Sequence, residues 1–217
     1  MIIRISGQER TACRDIFNQL FALRYEVFVK DQQWSLPVRG NLEIDQYDSP
    51  DAEYFYGIDA SGEIVSHVRL NSTLTGSLLA DCFSHMVEPP HSIRGPKILE
   101  GTRLIVMPRK KSREISRAAK SELLVAMFEF ATEIDATDVQ VMVDTRMLSS
   151  YLEMTPEVRP IGLSHSYGGG YAAPGGGEAI AIRCPVSRKV IDDIRAYGGL
   201  KNGVGHHRLP AARDQAA

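Results

Sequence analysis

The residues of this chain best suited to chemistry crowd into one stretch, Arg24 to Asp48, RYEVFVKDQQWSLPVRGNLEIDQYD. It combines a cation at Arg24, rings at Phe28 and at the only tryptophan, Trp34, and carboxylates at Glu43, Asp45 and Asp48. A core segment has no use for so many charges, and a solvated one has no use for two large rings. Aromatic faces attract a cation through the ring quadrupole and fixed carboxylates neutralise it, so the set fits a small cationic or zwitterionic ligand. Taken singly, Trp34 is explained by core packing and Asp45 and Asp48 by a solvated loop. Their company argues for a site.

Further charges fall where charge is costly. KILEGTRLIVMP, 97–108, reads as a strand, and its Glu100 and Arg103 must either pair or face a cleft, because an unpaired buried charge is expensive. Arg69 falls on a second expected strand, in the later half of EYFYGIDASGEIVSHVRLNST, whose two β-prone runs joined by Asp59 to Gly62 predict a hairpin.

The remaining elements must position these groups. IIRI at 2–5 predicts a strand, and apolar Ile16, Leu20, Leu23 and Val27 at helical spacing predict a helix over 12–29. Residues 30–52, rich in Asp, Pro, Gly and Asn, predict a loop of about 20 residues, a length that usually serves function. LLADCFSHM predicts a helical turn. The strongest helix is 112–134, with Leu123, Leu124, Met127, Phe128 and Ala131 on one side. A strand at 138–145, a short helix at 146–154, a strand at 178–184 and a short helix at 190–197 follow. SYGGGYAAPGGG lacks the lysine and hydroxyl of a phosphate-binding loop and reads as a mobile loop. This order predicts a single α/β (α+β) domain, 1–200, with a mixed sheet flanked by helices, and a disordered tail at 201–217.

Composition sets the outer bounds. With 217 residues, 43% hydrophobic and 24% charged, the chain has the make-up of a soluble globular domain, and its net charge of −2 argues against a general nucleic-acid binder. Three widely spaced cysteines and six histidines show no metal-ligand spacing, so buried reduced thiols and a cytoplasmic location are expected. MIIRISGQER is too short and too charged for a signal peptide. No apolar run approaches the roughly 20 residues of a membrane helix, so no membrane insertion is expected.

Arg24, Phe28, Trp34, then Glu43, Asp45 and Asp48 in LEIDQYD, Arg69, Phe83, and Glu100 and Arg103 in LEGTRLIV together resemble the acyl-homoserine-lactone synthases, the LuxI-type autoinducer synthases. Ten residues of five types in one order make the joint pattern specific. The resemblance implies an N-acetyltransferase-like fold and a cytoplasmic acyltransferase of quorum sensing. Its substrates would be S-adenosylmethionine, which is no cofactor here, and an acyl group carried on acyl carrier protein or coenzyme A. No other cofactor and no metal is implied. The amine is acylated, the carboxylate displaces methylthioadenosine, and a homoserine lactone leaves.

Within that resemblance the residues take roles. Phe28, Trp34, Asp45 and Asp48 would hold the sulfonium and amine, and Arg24 or Arg103 the carboxylate, through bidentate contact. Arg69 would order Asp45 and Asp48 rather than touch substrate. An α-amine of pKa roughly 7.7–8.0 must lose a proton before it attacks, and Glu100, then Glu43, are the candidate bases. Backbone amides around Gly101 to Leu104 would stabilise the oxyanion. Phe83, Leu99, Met127, Val141 and Met142 would wall the acyl pocket, and Val141, lacking a hydroxyl, points to an unsubstituted chain. Arg109, Lys110, Lys111, Arg113 and Arg117, with Lys120, would dock an acidic carrier protein, or else form a solvated basic helix start. The lack of glycine between Thr102 and Ile161 favours a carrier protein over coenzyme A. Two rivals remain, a coenzyme A dependent N-acyltransferase acting on another amine and a non-catalytic S-adenosylmethionine-binding module.

Overall fold

The computed structural model describes residues 1–107, 112–201 and 206–208. In chain order its elements are β1 (Ile2–Ser6), α1 (Arg14–Arg24), β2 (Val38–Arg39), β3 (Leu42–Glu43), β4 (Glu53–Ile58), β5 (Ile64–Ser72), α2 (Leu78–Cys82), β6 (Ile98–Val106), α3 (Arg113–Glu133), β7 (Asp138–Asp144), α4 (Thr145–Met154), β8 (Arg159–Pro160), β9 (His165–Tyr167), β10 (Gly177–Pro185), α5 (Arg188–Gly198) and β11 (His206–Arg208).

All the strands but β2 and β3 build one mixed sheet in the order β11, β1, β4, β5, β6, β7, β10, β8, with β9 also on β10. The predicted hairpin is β4 and β5, which pair antiparallel. β6 and β7 are parallel, which requires a long crossover, and α3 supplies it. Their pairing runs only from Ile98 opposite Asp138 to Gly101 opposite Val141. Beyond that point the two strands form no ladder, and a cleft opens in the middle of the sheet.

Both faces of the sheet are covered. On one, Leu123, Leu124 and Met127 of α3 and Val190 and Ile194 of α5 pack on Val68, Leu70, Leu99 and Val139. The long helix starts cleanly because Ser112 Oγ accepts from the Ile115 amide at 3.1 Å, a cap worth about 1 kcal/mol. On the other face, Phe17, Leu20 and Phe21 of α1 pack on Ile5, Tyr54 and Tyr56. Alternation along β4 and β5 assigns Phe55 and Val68 to the first face and Tyr54, His67 and Arg69 to the second.

Three local differences from the sequence expectation appear, the first two of them at the site. The first helix does not stay α-helical; Tyr25–Asp31 winds as a π-helix, with the Gln32 amide bonded to the Val27 carbonyl five residues back. The wider winding brings Phe28 in against Ile105. The expected loop 30–52 contains a two-residue ladder, Val38 opposite Glu43 and Arg39 opposite Leu42, turning at Gly40 with φ +63°. Residues 206–208, placed in the expected disordered tail, form a strand parallel to β1.

Cys184 is buried as expected, but Cys82 is exposed and Cys13 half-buried. His67 is structural, fully buried with its ring parallel to Tyr54 at 6.1 Å, and burial followed by the nearby Arg24 charge pushes its pKa down to about 3. No helix among the described residues is long and apolar enough to cross a membrane.

Candidate active site

Three guanidinia and three carboxylates meet on the α1 face of the sheet. Arg24, the last residue of α1, donates from Nη1 and Nη2 to Asp48 at 2.7 and 2.9 Å and from Nε to Glu43. Arg69 on β5 donates to both oxygens of Asp45, to Asp48 at 2.8 Å and to Thr102 Oγ1 at 3.0 Å. Arg103 on β6 donates to Glu43 at 2.9 and 3.1 Å and to Asp45 at 2.9 Å. Tyr54 adds a hydroxyl to Asp48 at 3.0 Å. The charges cancel, and each arginine bridges two carboxylates, so the burial cost is met by pairing and charge-assisted bonds.

Burial and pairing decide which groups remain free. Arg24 and Arg69 are 0% exposed, and all three nitrogens of Arg24 donate to carboxylates, so Arg24 does not present itself to a substrate carboxylate. Arg69 is committed to ion pairs with Asp45 and Asp48. Glu43 is fully buried; burial works to raise its pKa, but the Arg103 and Arg24 bonds and charges outweigh it and hold the carboxyl below its ordinary range. A carboxylate locked between two guanidinia is their counter-ion and not a free base. Asp48 is held low in the same way, burial again opposing, by Arg24 and Arg69. Arg103 alone keeps a guanidinium nitrogen, Nη1, with no hydrogen-bond partner among the described residues.

A β-bulge puts Arg103 there. Thr102 faces Arg69 and Ile105 faces His67, so two residues, Arg103 and Leu104, oppose Val68 alone. The extra residue inverts the alternation of β6. Without it Arg103 would share the α3 face with Gly101; with it, Arg103 joins Arg69. Its φ of +58° is costly for a side chain that bears a Cβ, about 1–3 kcal/mol, and the Glu43 and Asp45 bonds compensate.

Aromatic rings line this network. Phe28 stacks on Trp34 with centroids 5.1 Å apart and planes 15° apart, and the Arg103 guanidinium lies 5.6 Å over Phe28. Tyr167 of β9 meets Trp34 edge to face at 6.2 Å. The glycine-rich loop that follows is packed rather than free: a Cβ on Gly175 would lie 2.2 Å from the Gln33 carbonyl oxygen. Sequence reasoning missed Tyr167, and the only available signal was an aromatic residue abutting a glycine run.

Glu100 does not pair with Arg103. It is buried on the same face, where it accepts from Ser77 Oγ at 2.5 Å, the Leu79 amide at 3.0 Å and Gln140 Nε2 at 3.1 Å. Burial raises its pKa, and these neutral donors only partly offset the rise. Ser77 and Gln140 carried no sequence signal beyond their place in the fold.

Behind the cleft lies a cavity of about 90 Å³ lined by Gly101, Leu104, Met127, Val141, Met142 and Tyr151, among others. Gly101 sits where the ladder ends, and a Cβ there would press on Val141 Cγ1 at 3.0 Å. Met127, Val141 and Met142 line this cavity, while Leu99 is in the same core but not in the lining. Phe83 lies apart, with Leu79, Ile161 and Ala181. Of the expected docking cations, Arg109, Lys110 and Lys111 lie outside the described residues. Arg113 is exposed on the first turn of α3, Arg117 covers the Tyr197 ring at 4.5 Å, and Lys120 is buried and unavailable to a partner.

Comparison with known proteins places the chain in a family. The family model described as autoinducer synthase matches residues 8–155. The isovaleryl-homoserine lactone synthase of Bradyrhizobium diazoefficiens is 27% identical over 164 residues, 75% of this chain and 73% of that one. The solved coenzyme A dependent acyl-homoserine lactone synthase BjaI, with S-adenosylmethionine and isopentyl-coenzyme A, superposes with a TM-score of 0.81 at 23% identity, covering 99% and 95% of the two chains. MesI, another coenzyme A dependent acyl-homoserine lactone synthase, gives 0.77 at 25% identity over 94% and 98%. N-acyltransferases share the fold more distantly, as the residue pattern implied. The family match spans more than half of the chain, and this protein belongs to the autoinducer synthase family.

Proposed function

We propose that this enzyme is an acyl-homoserine-lactone synthase that moves an acyl group from a thioester to the α-amine of S-adenosylmethionine. The observation that carries the reading is the juxtaposition of a neutral six-charge network and aromatic shelf with an apolar cavity through a break in the sheet. One side suits a zwitterion bearing a sulfonium, the other an acyl chain.

Arg103, through its free Nη1, binds the S-adenosylmethionine carboxylate, while Trp34 and Tyr167 face the sulfonium and Asp45 lends negative potential. Glu100 takes the amine proton, directly or through a water, its raised pKa bringing it nearer the operating pH. The amine then attacks the thioester carbonyl, the oxyanion is met by backbone amides near the bulge, and the thiol leaves. The carboxylate next displaces methylthioadenosine from the sulfonium and closes the lactone. The thioester is carried by coenzyme A in the first instance, supported by the likeness to MesI along nearly the whole chain. The glycine-free approach to α3 keeps a carrier protein as the second donor.

Purified protein supplied with S-adenosylmethionine and acyl thioesters of either carrier is expected to release methylthioadenosine and an acyl-homoserine lactone in equal amounts. Mass spectrometry detecting no lactone from any donor would overturn the reading.

A further inference from the structure

The cavity behind the cleft is walled on its helical side by Tyr151 and Met154 of α4 and Ile194 of α5. Tyr151 has an unusual neighbour. The Lys120 ammonium lies 3.8 Å from its ring centroid, and Lys120 Nζ donates to Ser150 Oγ at 2.9 Å. Lys120 is only 8% exposed, and no carboxylate among the described residues lies within ion-pairing distance. Burial pushes its amine down to about 8. A buried ammonium without a counter-ion is expensive, so the ring and the hydroxyl must supply its compensation. In return, the cation on α3 holds Tyr151 of α4 against the cavity.

The cavity is small. An apolar cavity of about 150 Å³ accommodates benzene, with six carbons. On that scale about 90 Å³ accommodates about four. The carbonyl carbon stays at the cleft, beside Gly101.

We propose that Tyr151, positioned by Lys120 and Ser150, ends the acyl cavity and restricts the donor to a short acyl chain of about four to five carbons. This rests on the synthase reading above. Tyr151 is the specificity-determining side chain, and Lys120 is a positioning residue that touches no substrate.

The test is the acyl-length profile of lactone formation with a series of straight and branched acyl-coenzyme A donors from four to twelve carbons, repeated with carrier-protein thioesters. Wild-type protein is expected to lose about tenfold or more in kcat/KM for each methylene beyond the optimum, as filled apolar pockets do. Y151A, with Y151L as the better-folding alternative, is expected to move the optimum to longer chains. K120M is expected to broaden the profile, and K120R to restore it, with KM for S-adenosylmethionine unchanged in each. A wild-type optimum at eight carbons or more, or a Tyr151 variant that folds and keeps the wild-type profile, would overturn this proposal alone. Lactone from no donor would remove the synthase reading, and this inference with it.

Discussion

A carboxylate buried between guanidinia stays ionised, whereas one buried among neutral donors is drawn towards its protonated form. Glu43 meets Arg24 and Arg103; Glu100 meets a serine, an amide nitrogen and a glutamine. The two candidate bases, Glu100 first and Glu43 second, are thereby separated, Glu43 lowered and Glu100 raised from the ordinary carboxylate value. Glu100→Gln keeps the size of the side chain and removes its basicity. Its kcat is expected to fall by about 10²–10⁴ with KM for S-adenosylmethionine little changed. Steady-state kinetics reads both constants, and a loss divided equally between them would assign Glu100 to binding. Because the base must be ionised, the acid limb of the wild-type rate profile is expected above the ordinary glutamate value of about 4.3.

At the scale of elements, the site depends on irregularities. The π-helical Tyr25–Asp31 seats Phe28, the bulge turns Arg103, and the β2–β3 ladder holds Glu43. None of these was legible in the sequence. A π-turn keeps the same apolar spacing as the helix it extends, a bulge has no residue signature at Arg103, and two-residue strands show no period. The regular elements were legible because long apolar repeats override local detail, as in α3 and the β4–β5 hairpin. Charged residues stood out for the opposite reason, since Glu100 and Arg103 interrupt an apolar strand. What spacing could not supply was pairing: it left Arg24 and Arg103 as equal candidates for a substrate carboxylate, and only the carboxylates around Arg24 separate them. The glycine-rich loop offers a test at this scale. Gly175 has φ +70° and touches the Gln33 backbone, next to Trp34. Gly175→Ala is expected to raise KM for S-adenosylmethionine about tenfold, a cost of about 1.4 kcal/mol, while leaving the acyl-donor KM unchanged. An unchanged KM for both would show that the loop does not support the aromatic shelf.

Across the whole molecule, the six-charge network ties α1, β3, β5 and β6 together through side chains contributed from Arg24 to Arg103, so its protonation state and the fold are linked. The sign follows from the shifts. Asp48 and Glu43 are held below the roughly 4 of an unfolded carboxylate, so the stability they contribute is complete at neutral pH and is lost as pH falls through the ordinary carboxylate range towards their depressed values. Glu100, raised by burial, acts in the opposite sense, favouring the fold at low pH and opposing it as pH rises through its folded value. The melting temperature is therefore expected to fall as pH drops from about 5 to about 3, where unfolded carboxylates take up protons that Asp48 and Glu43 refuse. Asp48→Asn tests the origin of that slope. It leaves Arg24 and Arg69 short of a carboxylate and is expected to destabilise the fold by about 3–5 kcal/mol at neutral pH. It should also make the acid slope shallower, because one of the two depressed groups is gone and Glu43 alone is left to titrate. Calorimetry of both proteins across the pH series reads the two effects together. A wild-type melting temperature that stays constant down to about pH 3 would show that the network carries no linked stability. An Asp48→Asn slope as steep as the wild type would place the titrating group elsewhere.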